Sequence, residues 1–243
     1  MSDSTRLNKF LAHATGMSRR EADAAIAAGR VRLNGEKAVI GSQVTSSDDV
    51  QFDNKPVHVQ QHYTYLLLHK PVGYLCSRRS QGGVPTIFEL LPETYRALKQ
   101  VGRLDKDSSG LLLLTDDGDF AHHMTHPRFH KTKLYEVELD KPLQPLHQQM
   151  ISDFGVTLED GVSQFLVEKV GDWKMETGSW DRPQIGSEPP KNFQVTLTEG
   201  RNRQIRRTFA ALGYTVTKLH RTRFGNYSLD DMKKGEYKLT AIS

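Results

Sequence analysis

The run that decides the fold and the candidate site reads Gly102-Arg103-Leu104-Asp105-Lys106-Asp107-Ser108-Ser109-Gly110-Leu111-Leu112-Leu113-Leu114-Thr115. Its apolar second half follows turn residues, a pattern that predicts a short buried strand. The polar first half then becomes a loop that presents Asp105 at the edge of a core. Arg103 before it and the small residues after it leave this carboxylate accessible in an electropositive place. The arrangement favours a functional aspartate that stays ionised beside a negatively charged substrate.

Two later segments supply candidate partners for Asp105. Lys133-Leu134-Tyr135-Glu136-Val137 alternates in polarity, which predicts a strand that carries a tyrosine. Further on, a predicted helix places Arg203 and Arg206 three residues apart, so that both lie on one face. Arginine pairs with carboxylates through two parallel hydrogen bonds. A partner of this kind is expected to keep a partly buried aspartate ionised.

The beginning of the chain predicts a small unit of two helices and a hairpin. Periodic apolar residues mark a first helix over residues 6–16, and Ser18-Arg19-Arg20-Glu21 has the form of a capping box that starts a second helix. Asn34-Gly35 is the preferred pair for a tight hairpin turn, and Val39-Ile40 is expected to continue the return strand. Further short strands are predicted at residues 50–52 and 57–59.

The rest of the chain predicts a larger domain in which strands outnumber helices. Hairpins and helices both separate the strands, which predicts an α+β fold around a mixed, mainly antiparallel sheet. Strands are predicted at residues 65–68, 111–115, 134–139, 165–167, 193–197 and 214–219, and helices at 85–91, 117–124, 143–151 and 203–212. We therefore expect domains at 1–59 and 65–243 with a linker at 60–64, and an irregular insertion at 171–191 that contains Trp173 and Trp180.

Composition places the chain among soluble globular proteins. It has 243 residues, of which 37% are hydrophobic and 26% are charged. No run approaches the roughly 20 apolar residues that span a bilayer, and the first residues lack the apolar centre of a signal peptide. Cys76 is the only cysteine, which excludes an internal disulfide bond. We expect a cytoplasmic protein that does not bind membranes.

The net charge of +4 is small, and its distribution carries more information. Residues 6–37 contain seven lysines and arginines against three acids, and residues 201–223 contain seven and no acid. We call these stretches the first and the second basic island. A single basic run is often only a solvated surface, but two islands with apolar periodicity favour contact with a polyanion such as nucleic acid.

The first domain resembles a known RNA-binding module. The resemblance rests on Arg6-Leu7, Lys9-Phe10, Ser18-Arg19-Arg20-Glu21-Ala22, Gly29, Val31 and Leu33-Asn34-Gly35. These residues look like the alpha-L module first known from a small-subunit ribosomal protein, and they cover nearly the whole domain. The resemblance implies that the helix pair binds structured RNA. The candidate RNA contacts in this domain are Arg6, Lys9, Arg19, Arg20, Arg30 and Arg32.

The second domain resembles the RsuA/RluB/RluE/RluF family of ribosomal RNA pseudouridine synthases. The resemblance rests on Lys70-Pro71-Val72-Gly73, Gly102-Arg103-Leu104-Asp105, Lys133-Leu134-Tyr135, Gly200-Arg201-Asn202-Arg203-Gln204-Ile205-Arg206-Arg207 and Leu219-His220-Arg221-Thr222-Arg223-Phe224-Gly225. An alpha-L module in front of such a domain is the usual architecture of this family. The resemblance covers almost the entire chain, and it implies the pseudouridine synthase type of fold.

The resemblance also implies roles for individual residues. Asp105 is expected to be the catalytic aspartate, Tyr135 to pack against the target uracil and Arg206 to be the ion-pair partner of Asp105. Arg103 is expected to help hold the extruded nucleotide. The remaining candidate RNA contacts of this domain, which would hold backbone phosphates, are Arg201, Arg203, Arg207, Lys218, Arg221 and Arg223.

The chemistry implied by the resemblance is the isomerisation of uridine. The N1–C1′ bond breaks, the base turns, and the bond re-forms through C5, so that no cofactor and no metal ion is expected. A stacked or paired uridine must first be flipped out of the RNA. The expected partner is ribosomal RNA or a pre-ribosomal particle, with large-subunit RNA favoured over small-subunit RNA. We expect the protein to be a monomer.

Several alternatives remain open from the sequence. Asp105 and Asp107 could form the acid–base pair of a glycosidase, and a nucleoside hydrolase would release free uracil. A histidine cluster could bind a metal ion, although no cysteine and no clear third ligand accompany it; its members are His122, His123, His126 and His130. A non-catalytic ribosome-assembly factor could also use the same fold.

Overall fold

The computed structural model describes residues 4–59, 62–169 and 191–242. The chain divides into two compact units. The first unit comprises Met1–Tyr65 with Ala97–Lys99 and Thr115–Gly118, and the second comprises Leu66–Arg96, Gln100–Leu114 and Asp119–Ser243. Residues 60–61 of the predicted linker and 171–190 of the predicted insertion lie outside the described residues. Within the described ranges, no helix is long and apolar enough to cross a membrane.

Two helices in the first unit confirm the predicted helix pair. Helix α1 spans Leu7–Thr15 and ends at Gly16, whose φ of 78° lies in the left-handed region. Helix α2 spans Arg19–Ala27 and begins with the predicted capping box. The backbone N–H of Glu21 donates to Ser18 Oγ at 3.2 Å, and the backbone N–H of Ser18 donates to Glu21 Oε2 at 2.6 Å. Two otherwise unpaired N–H groups are thereby satisfied.

Six short strands complete the first unit: β1 Thr5–Arg6, β2 Val31–Leu33, β3 Glu36–Lys37, β4 Gln43–Val44, β5 Val50–Phe52 and β6 Lys55–Pro56. Strands β1 and β4 pair with each other, and the other four form a sheet in the order β3-β2-β5-β6. The core between helices and strands contains Leu7, Leu11, Ile26 and Val31, all of which are buried.

The hairpin turn is confirmed, but two strand predictions are wrong. Asn34 and Gly35 have φ values of 53° and 85°, as a two-residue turn requires. This turn fixes Leu33 opposite Glu36, so the return strand is β3, and Val39-Ile40 is exposed instead. A second tight turn at residues 53–54 likewise places the last strand at β6, before the predicted 57–59.

Within residues 62–169 and 191–242, eleven further strands follow: β7 Tyr65–Lys70, β8 Lys99–Val101, β9 Ser109–Thr115, β10 Lys133–Leu139, β11 Val156–Leu158, β12 Gly161–Ser163, β13 Leu166–Lys169, β14 Asn192–Leu197, β15 Val216–Phe224, β16 Tyr227–Ser228 and β17 Tyr237–Thr240. The main sheet has the order β13-β14-β10-β15-β9-β7-β17, with β8 beside β9 and β16 beside β15. Strand β10 is antiparallel to β14 and β15, whereas β15 runs parallel to β9. The α+β fold with a mixed, mainly antiparallel sheet is therefore confirmed.

The helices of this part of the chain are short: α3 Gly118–Thr125, α4 Pro145–Gln149 and α5 Gln204–Ala211. Single turns of 3₁₀ type lie at Ile87–Leu90, Glu93–Tyr95 and Pro127–Phe129, and a π-helical turn at Met150–Phe154 extends α4. In α5, Ile205 and Phe209 are buried.

The leucine run forms the centre of the main sheet. Residues Leu111 to Leu114 in β9 are at most 1% exposed, which confirms the predicted buried strand. Each such leucine stabilises the fold by about 1.5–3 kcal/mol relative to an exposed position. At the start of the run, Gly110 has a φ of 113°, and a Cβ there would lie 2.2 Å from the carbonyl oxygen of Arg221. Only glycine lets β9 and β15 approach this closely.

Candidate active site

A cavity of about 240 Å³ opens in the second unit beside the loop that precedes β9. Strands β10 and β15 and the start of α5 form its other walls. Side chains that are far apart in sequence meet here, and those used below are Arg103, Asp105, Lys133, Tyr135, Arg203 and Arg221. The cavity thus brings together the three motifs around residues 105, 135 and 203.

Lys70, at the end of β7, fixes the loop that carries Asp105. Its side chain is fully buried, and its ammonium donates to the carbonyl oxygens of Pro71, Asp105 and Ser108 at 3.0, 3.0 and 2.7 Å. These three bonds use all three N–H groups of a lysine. Burial lowers the pKa of this ammonium from its ordinary value. The lysine of the Lys-Pro-Val-Gly motif therefore acts on the backbone around Asp105.

Two further contacts hold the same loop from the segment after β7. The backbone N–H of Gly73 donates to the carbonyl oxygen of Lys106 at 2.7 Å. The backbone N–H of Leu104 approaches Cys76 Sγ at 3.4 Å. Burial raises the pKa of the Cys76 thiol, which favours its neutral form. Asp105 is thus carried on a loop that is tied down on both sides, with its side chain still 31% exposed.

Arg203, and not Arg206, is the arginine that contacts the carboxylate of Asp105. Arg203 Nη1 lies 3.5 Å from Asp105 Oδ2. The backbone of Arg203 is left-handed, with a φ of 45°, in the residue just before α5. This conformation at the start of the helix lets its side chain reach the loop. The assignment of Arg206 as the direct partner is corrected accordingly.

Arg206 instead anchors the loop two and three residues further on, at Asp107 and Ser108. Its guanidinium donates to the carbonyl oxygens of Val216 and Asp107 at 2.7 and 2.9 Å, and to Ser108 Oγ at 3.3 Å. Its Nε also lies 3.4 Å from Asp107 Oδ2. Among the described residues, no ion pair joins Arg206 to Asp105. Arg206 therefore ties the loop to β15 through mostly backbone acceptors.

Asp107 is held by two arginines. Arg203 donates to both of its carboxylate oxygens, at 3.1 and 3.2 Å, and Arg206 lies beside them. Burial alone would raise the pKa of the Asp107 carboxyl, but the hydrogen bonds from Arg203 and the charge of Arg206 outweigh it, so this pKa lies below its ordinary value. The engagement of Asp107 gives it an anchoring role, which weakens the alternative of an Asp105–Asp107 acid–base pair.

Tyr135 in β10 also lines the cavity. Its ring is largely buried, and Arg221 Cζ lies 6.0 Å from the ring centroid. Arg221 itself is only 2% exposed and donates from Nε to the carbonyl oxygen of Leu111 at 2.8 Å. Arg221 was predicted to hold a backbone phosphate, and this prediction is corrected because its side chain is buried within the domain. Strand β15 also extends to Phe224, beyond the predicted end at residue 219.

Lys133 is a second buried cation of the cavity, and the sequence alone did not single it out. Its side chain donates to the carbonyl oxygens of Lys131 and Glu199 at 3.1 and 3.3 Å. Burial, together with the charge of Arg221, lowers the pKa of Lys133 to about 8. The position of this lysine two residues before Tyr135, on the same side of β10, was the available signal.

Two other predicted phosphate contacts of the second basic island are engaged within the protein. Arg207 pairs with Asp160 at 2.7 Å, and Arg201 pairs with Asp160 at 3.2 Å. Arg201 also donates to the carbonyl oxygens of Asp160, Gly161 and Val162. These bonds attach the start of α5 to the turn between β11 and β12. Both arginines are thus engaged within the protein, and their assignment as RNA contacts stays a prediction.

The remaining predicted contacts of this unit are accessible. Arg103 is exposed and lines the cavity beside Asp105. Arg223 is exposed, and Lys218 is exposed with Glu136 at 3.3 Å from its ammonium. Exposed ion pairs of this kind are weak and open easily.

The predicted contacts of the first unit divide into two groups. Arg30 pairs with Asp53, and Arg32 donates to the carbonyl oxygen of Gly35 at 2.9 Å. The others are Arg6, Arg19 and Arg20, which are exposed, and Lys9, which is half-buried. Arg19 and Arg20 lie on the first turn of α2, as the capping box predicted.

The histidine cluster at the end of α3 forms ring contacts. The rings of His122 and His126 have centroids 4.7 Å apart, and those of His123 and Phe129 are 4.1 Å apart. Arg128 Cζ lies 4.4 Å from the Phe129 centroid. In the part of the chain that the structure describes, no three His, Cys, Asp or Glu residues are grouped so that they could hold a metal ion.

Comparison with known families assigns the fold and the family. A family model described as RNA pseudouridylate synthase matches residues 64–211, which is more than half of the chain and includes Asp105, Tyr135 and Arg203. The chain belongs to the RNA pseudouridylate synthase family. An S4 domain model matches residues 5–50, which contain both helices of the first unit. The protein is therefore an enzyme of this family that carries an RNA-binding S4 domain before its catalytic part, as the two resemblances in the sequence indicated.

Individual relatives of this RNA pseudouridylate synthase cover nearly its whole length. The ribosomal small subunit pseudouridine synthase A of Yersinia pestis is 38% identical over 96% of this chain and 93% of its own. The ribosomal large subunit pseudouridine synthase B of Bacillus subtilis is 34% identical over 95% and 90%. The crystal structure of a pseudouridylate synthase matches at a TM-score of 0.64 with 31% identity, over 97% of this chain and 96% of that chain.

Proposed function

We propose that this enzyme isomerises a specific uridine of ribosomal RNA to pseudouridine and that Asp105 is its catalytic residue. The observation that carries the proposal is a single cavity that is lined by Asp105 and Tyr135 together with several cationic side chains. The carboxylate is partly exposed, on a loop held by Lys70 and Arg206. A carboxylate held in place beside an aromatic wall suits chemistry on a flat base.

Each surrounding group has a role in this proposal. Tyr135 packs against the target uracil, and Arg203 orients Asp105 through its contact at 3.5 Å. Arg206 positions the loop through its backbone acceptors. Arg103 binds the flipped nucleotide at the edge of the cavity. The isomerisation is redox-neutral and adds no group, so the proposed reaction needs neither a cofactor nor a metal ion.

Binding of the RNA is proposed to use two domains, residues 1–59 and 65–243, joined by a linker at 60–64. The S4 domain supplies Arg6, Lys9, Arg19 and Arg20 for phosphates of structured RNA. The catalytic domain supplies Arg103, Lys218 and Arg223. The target uridine leaves its stack to enter the cavity, at an unstacking cost of a few kcal/mol that these phosphate contacts offset.

The substrate is proposed from the relatives and from the charge distribution. Both reported synthases act on ribosomal RNA by name, one on the small and one on the large subunit. The preference for large-subunit RNA stays a prediction. We propose that the protein acts as a cytoplasmic monomer on ribosomal RNA, either free or within a pre-ribosomal particle.

The proposal is tested by mapping pseudouridines in the ribosomal RNA of both subunits from cells that lack the gene. We expect one site to lose its pseudouridine, and we expect wild-type protein, but not Asp105→Asn, to restore it. Purified enzyme is then added to free RNA and to immature subunits from these cells. An unchanged map in the deletion strain together with no activity on either substrate would contradict the proposal.

Two other functions give different results in the same experiment. A non-catalytic assembly factor would leave every pseudouridine in place and alter only subunit assembly. A nucleoside hydrolase would release uracil and reduce the mass of the RNA, whereas isomerisation leaves the mass unchanged. Chemical labelling of pseudouridine and mass measurement on one RNA sample therefore separate the three functions.

A further inference from the structure

Two cations lie at the base of the cavity without an anionic partner. Arg221 is 2% exposed and Lys133 is 8% exposed. Among the described residues, neither forms an ion pair with a carboxylate. The carboxylate of the cavity, Asp105, is paired with Arg203 instead. We call Lys133 and Arg221 the buried cation pair.

Arg221 keeps part of its guanidinium unengaged. Its Nε donates to the carbonyl oxygen of Leu111, while Nη2 is buried and has no hydrogen-bond partner in the described structure. Its Cζ lies 4.8 Å from the centroid of Phe224. A buried donor without a partner costs about 1–3 kcal/mol or more. Arg201 Nε and Arg206 Nε are also buried without a hydrogen-bond partner, but in the described residues both of those arginines pair with a carboxylate, whereas Arg221 does not.

Lys133 has a similar environment. Its ammonium contacts two neutral carbonyl oxygens and lies 5.1 Å from the Phe224 centroid. Its neighbours across the sheet are Leu197 on β14 and Phe224 on β15, which are both apolar. Two like charges in such surroundings repel each other and are expensive to bury. The fold keeps them at the cavity, which points to an anion that arrives during function.

We propose that the buried cation pair, Lys133 and Arg221, stabilises the negative charge of the uracil ring once it is detached from the ribose. This inference rests on the proposed function and adds catalytic residues to it. Preorganised cations in a partly desolvated site stabilise charge that develops in the transition state far better than water does. They also hold the free base while it turns.

The charge balance of the reaction identifies this anion. When the N1–C1′ bond breaks, its electron pair stays with the base and spreads over N1, O2 and O4. When C5 bonds to C1′, C5 loses its proton and N1 gains one, so the product is an isomer of the substrate. The same base anion forms whether Asp105 bonds to C1′ or takes a proton from C2′. The proposal therefore does not depend on the role of Asp105 at the sugar.

The depth of the two side chains favours the base over a backbone phosphate as their ligand. Arg103 is exposed at the cavity and is suited to a phosphate. Lys133 and Arg221 are buried, and Arg221 lies beside Tyr135, against which the uracil is proposed to pack. A phosphate contact would affect RNA affinity, whereas a contact made with the developing anion affects the rate of the chemical step.

The charge state of Lys133 gives a pH signature. Its pKa is lowered to about 8 by burial and by Arg221, with Glu199 acting in the opposite direction. The other charged or titratable groups that line the cavity are Arg103, Asp105, Tyr135, Arg201 and Arg203. Lys133 is a cation below this pKa and neutral above it. The rate of the chemical step is therefore expected to fall as the pH rises through about 8.

The test is a single-turnover measurement of pseudouridine formation at saturating enzyme, from pH 6.5 to about 9.5, on the RNA identified by mapping. We expect Lys133→Met to lower the rate at neutral pH by about 10²-fold or more, with the Kd for RNA changed less than about twofold. We expect Lys133→Arg to retain much of the rate and to lose the fall near pH 8. Lys238→Met, at an exposed position in β17, is the matched control.

Several results would overturn the inference. One is a wild-type rate for Lys133→Met, and another is a loss that appears only in the Kd, which would indicate a phosphate contact. A fall near pH 8 that persists in Lys133→Arg would assign that titration to another group. If Lys133→Met fails to fold, as judged by its melting curve, the wild-type and Lys133→Arg profiles still decide. Absence of pseudouridine with the wild-type enzyme would instead contradict the proposed function itself.

Discussion

The two basic islands have similar compositions, but their side chains are used differently. In the first island, Arg6, Arg19 and Arg20 stand exposed on short elements of the S4 domain. In the second island, Arg201 and Arg207 are bound to Asp160 and its neighbouring carbonyl groups. The acid-free sequence of the second island conceals these pairs, because their shared carboxylate, Asp160, lies 41 and 47 positions earlier.

The difference shows what a run of arginines can build. An arginine has five N–H donors in a fixed planar arrangement, so it can join two loops through backbone carbonyl groups as well as bind phosphate. Arg206 uses this capacity to tie the Asp105 loop to β15. The first island is thus suited to affinity, whereas most of the second island is suited to the geometry of the catalytic site. Three experiments test this division.

The largest effect is expected for Arg206→Ala. This change removes the bonds to Val216, Asp107 and Ser108 and loosens the loop that carries Asp105. A displacement of about 1 Å at a catalytic group costs about 10²-fold in rate, and we expect a loss of that size in single-turnover pseudouridine formation. RNA affinity should stay within about threefold of wild type. A large loss of affinity with an unchanged rate would place Arg206 among the phosphate contacts.

A smaller effect, on binding, is expected for the double variant Arg19→Ala with Arg20→Ala. Loss of two phosphate contacts should raise the Kd for RNA about tenfold at physiological salt and reduce the slope of log Kd against log salt by about 2. The melting temperature and the rate at saturating enzyme should not change, because both side chains are exposed. An unchanged salt dependence would show that α2 does not contact RNA, with Lys238→Ala as the control for a lost surface charge.

The smallest effect is expected for the pair Arg207 and Asp160. Partly exposed ion pairs contribute about 0.2–1 kcal/mol, and a double-mutant cycle isolates this coupling. We expect a coupling within this range in the free energy of unfolding for Arg207→Ala, Asp160→Ala and the double variant. RNA affinity should change less than twofold in Asp160→Ala. A marked gain in affinity there would show that Asp160 withholds a real phosphate contact.

Local patterns predicted much of the fold. The capping box at Ser18 and the hairpin pair Asn34-Gly35 act through neighbouring residues, so their structures follow from short sequences. The leucine run of β9 was equally clear, because a continuous apolar run suits a strand buried on both faces. The strand predictions at Val39-Ile40 and at residues 57–59 were wrong because of register. Each tight turn pairs the residues that directly flank it, so the return strand begins earlier than predicted.

The candidate site was predicted less completely, because its details depend on contacts across the sheet. The motif around Asp105 was recognisable, but the choice between Arg203 and Arg206 depends on the left-handed backbone of Arg203. The burial of Arg221 depends on the close approach of Gly110. This glycine is its pairing partner in the neighbouring strand β9 and lies 111 positions earlier in the sequence. A strand that reads Leu-His-Arg-Thr-Arg looks solvated in sequence, and the parallel pairing with β9 buries its central arginine.

The most direct test of the catalytic assignment compares two carboxylates of one loop. Asp105→Asn and Asp107→Asn each remove one negative charge with almost no change in volume, and RNA binding serves as the control for folding. We predict no detectable pseudouridine in single-turnover reactions with Asp105→Asn. We predict reduced but measurable formation with Asp107→Asn, because Arg206 still holds the loop through backbone carbonyl groups. Wild-type formation by Asp105→Asn would contradict the account.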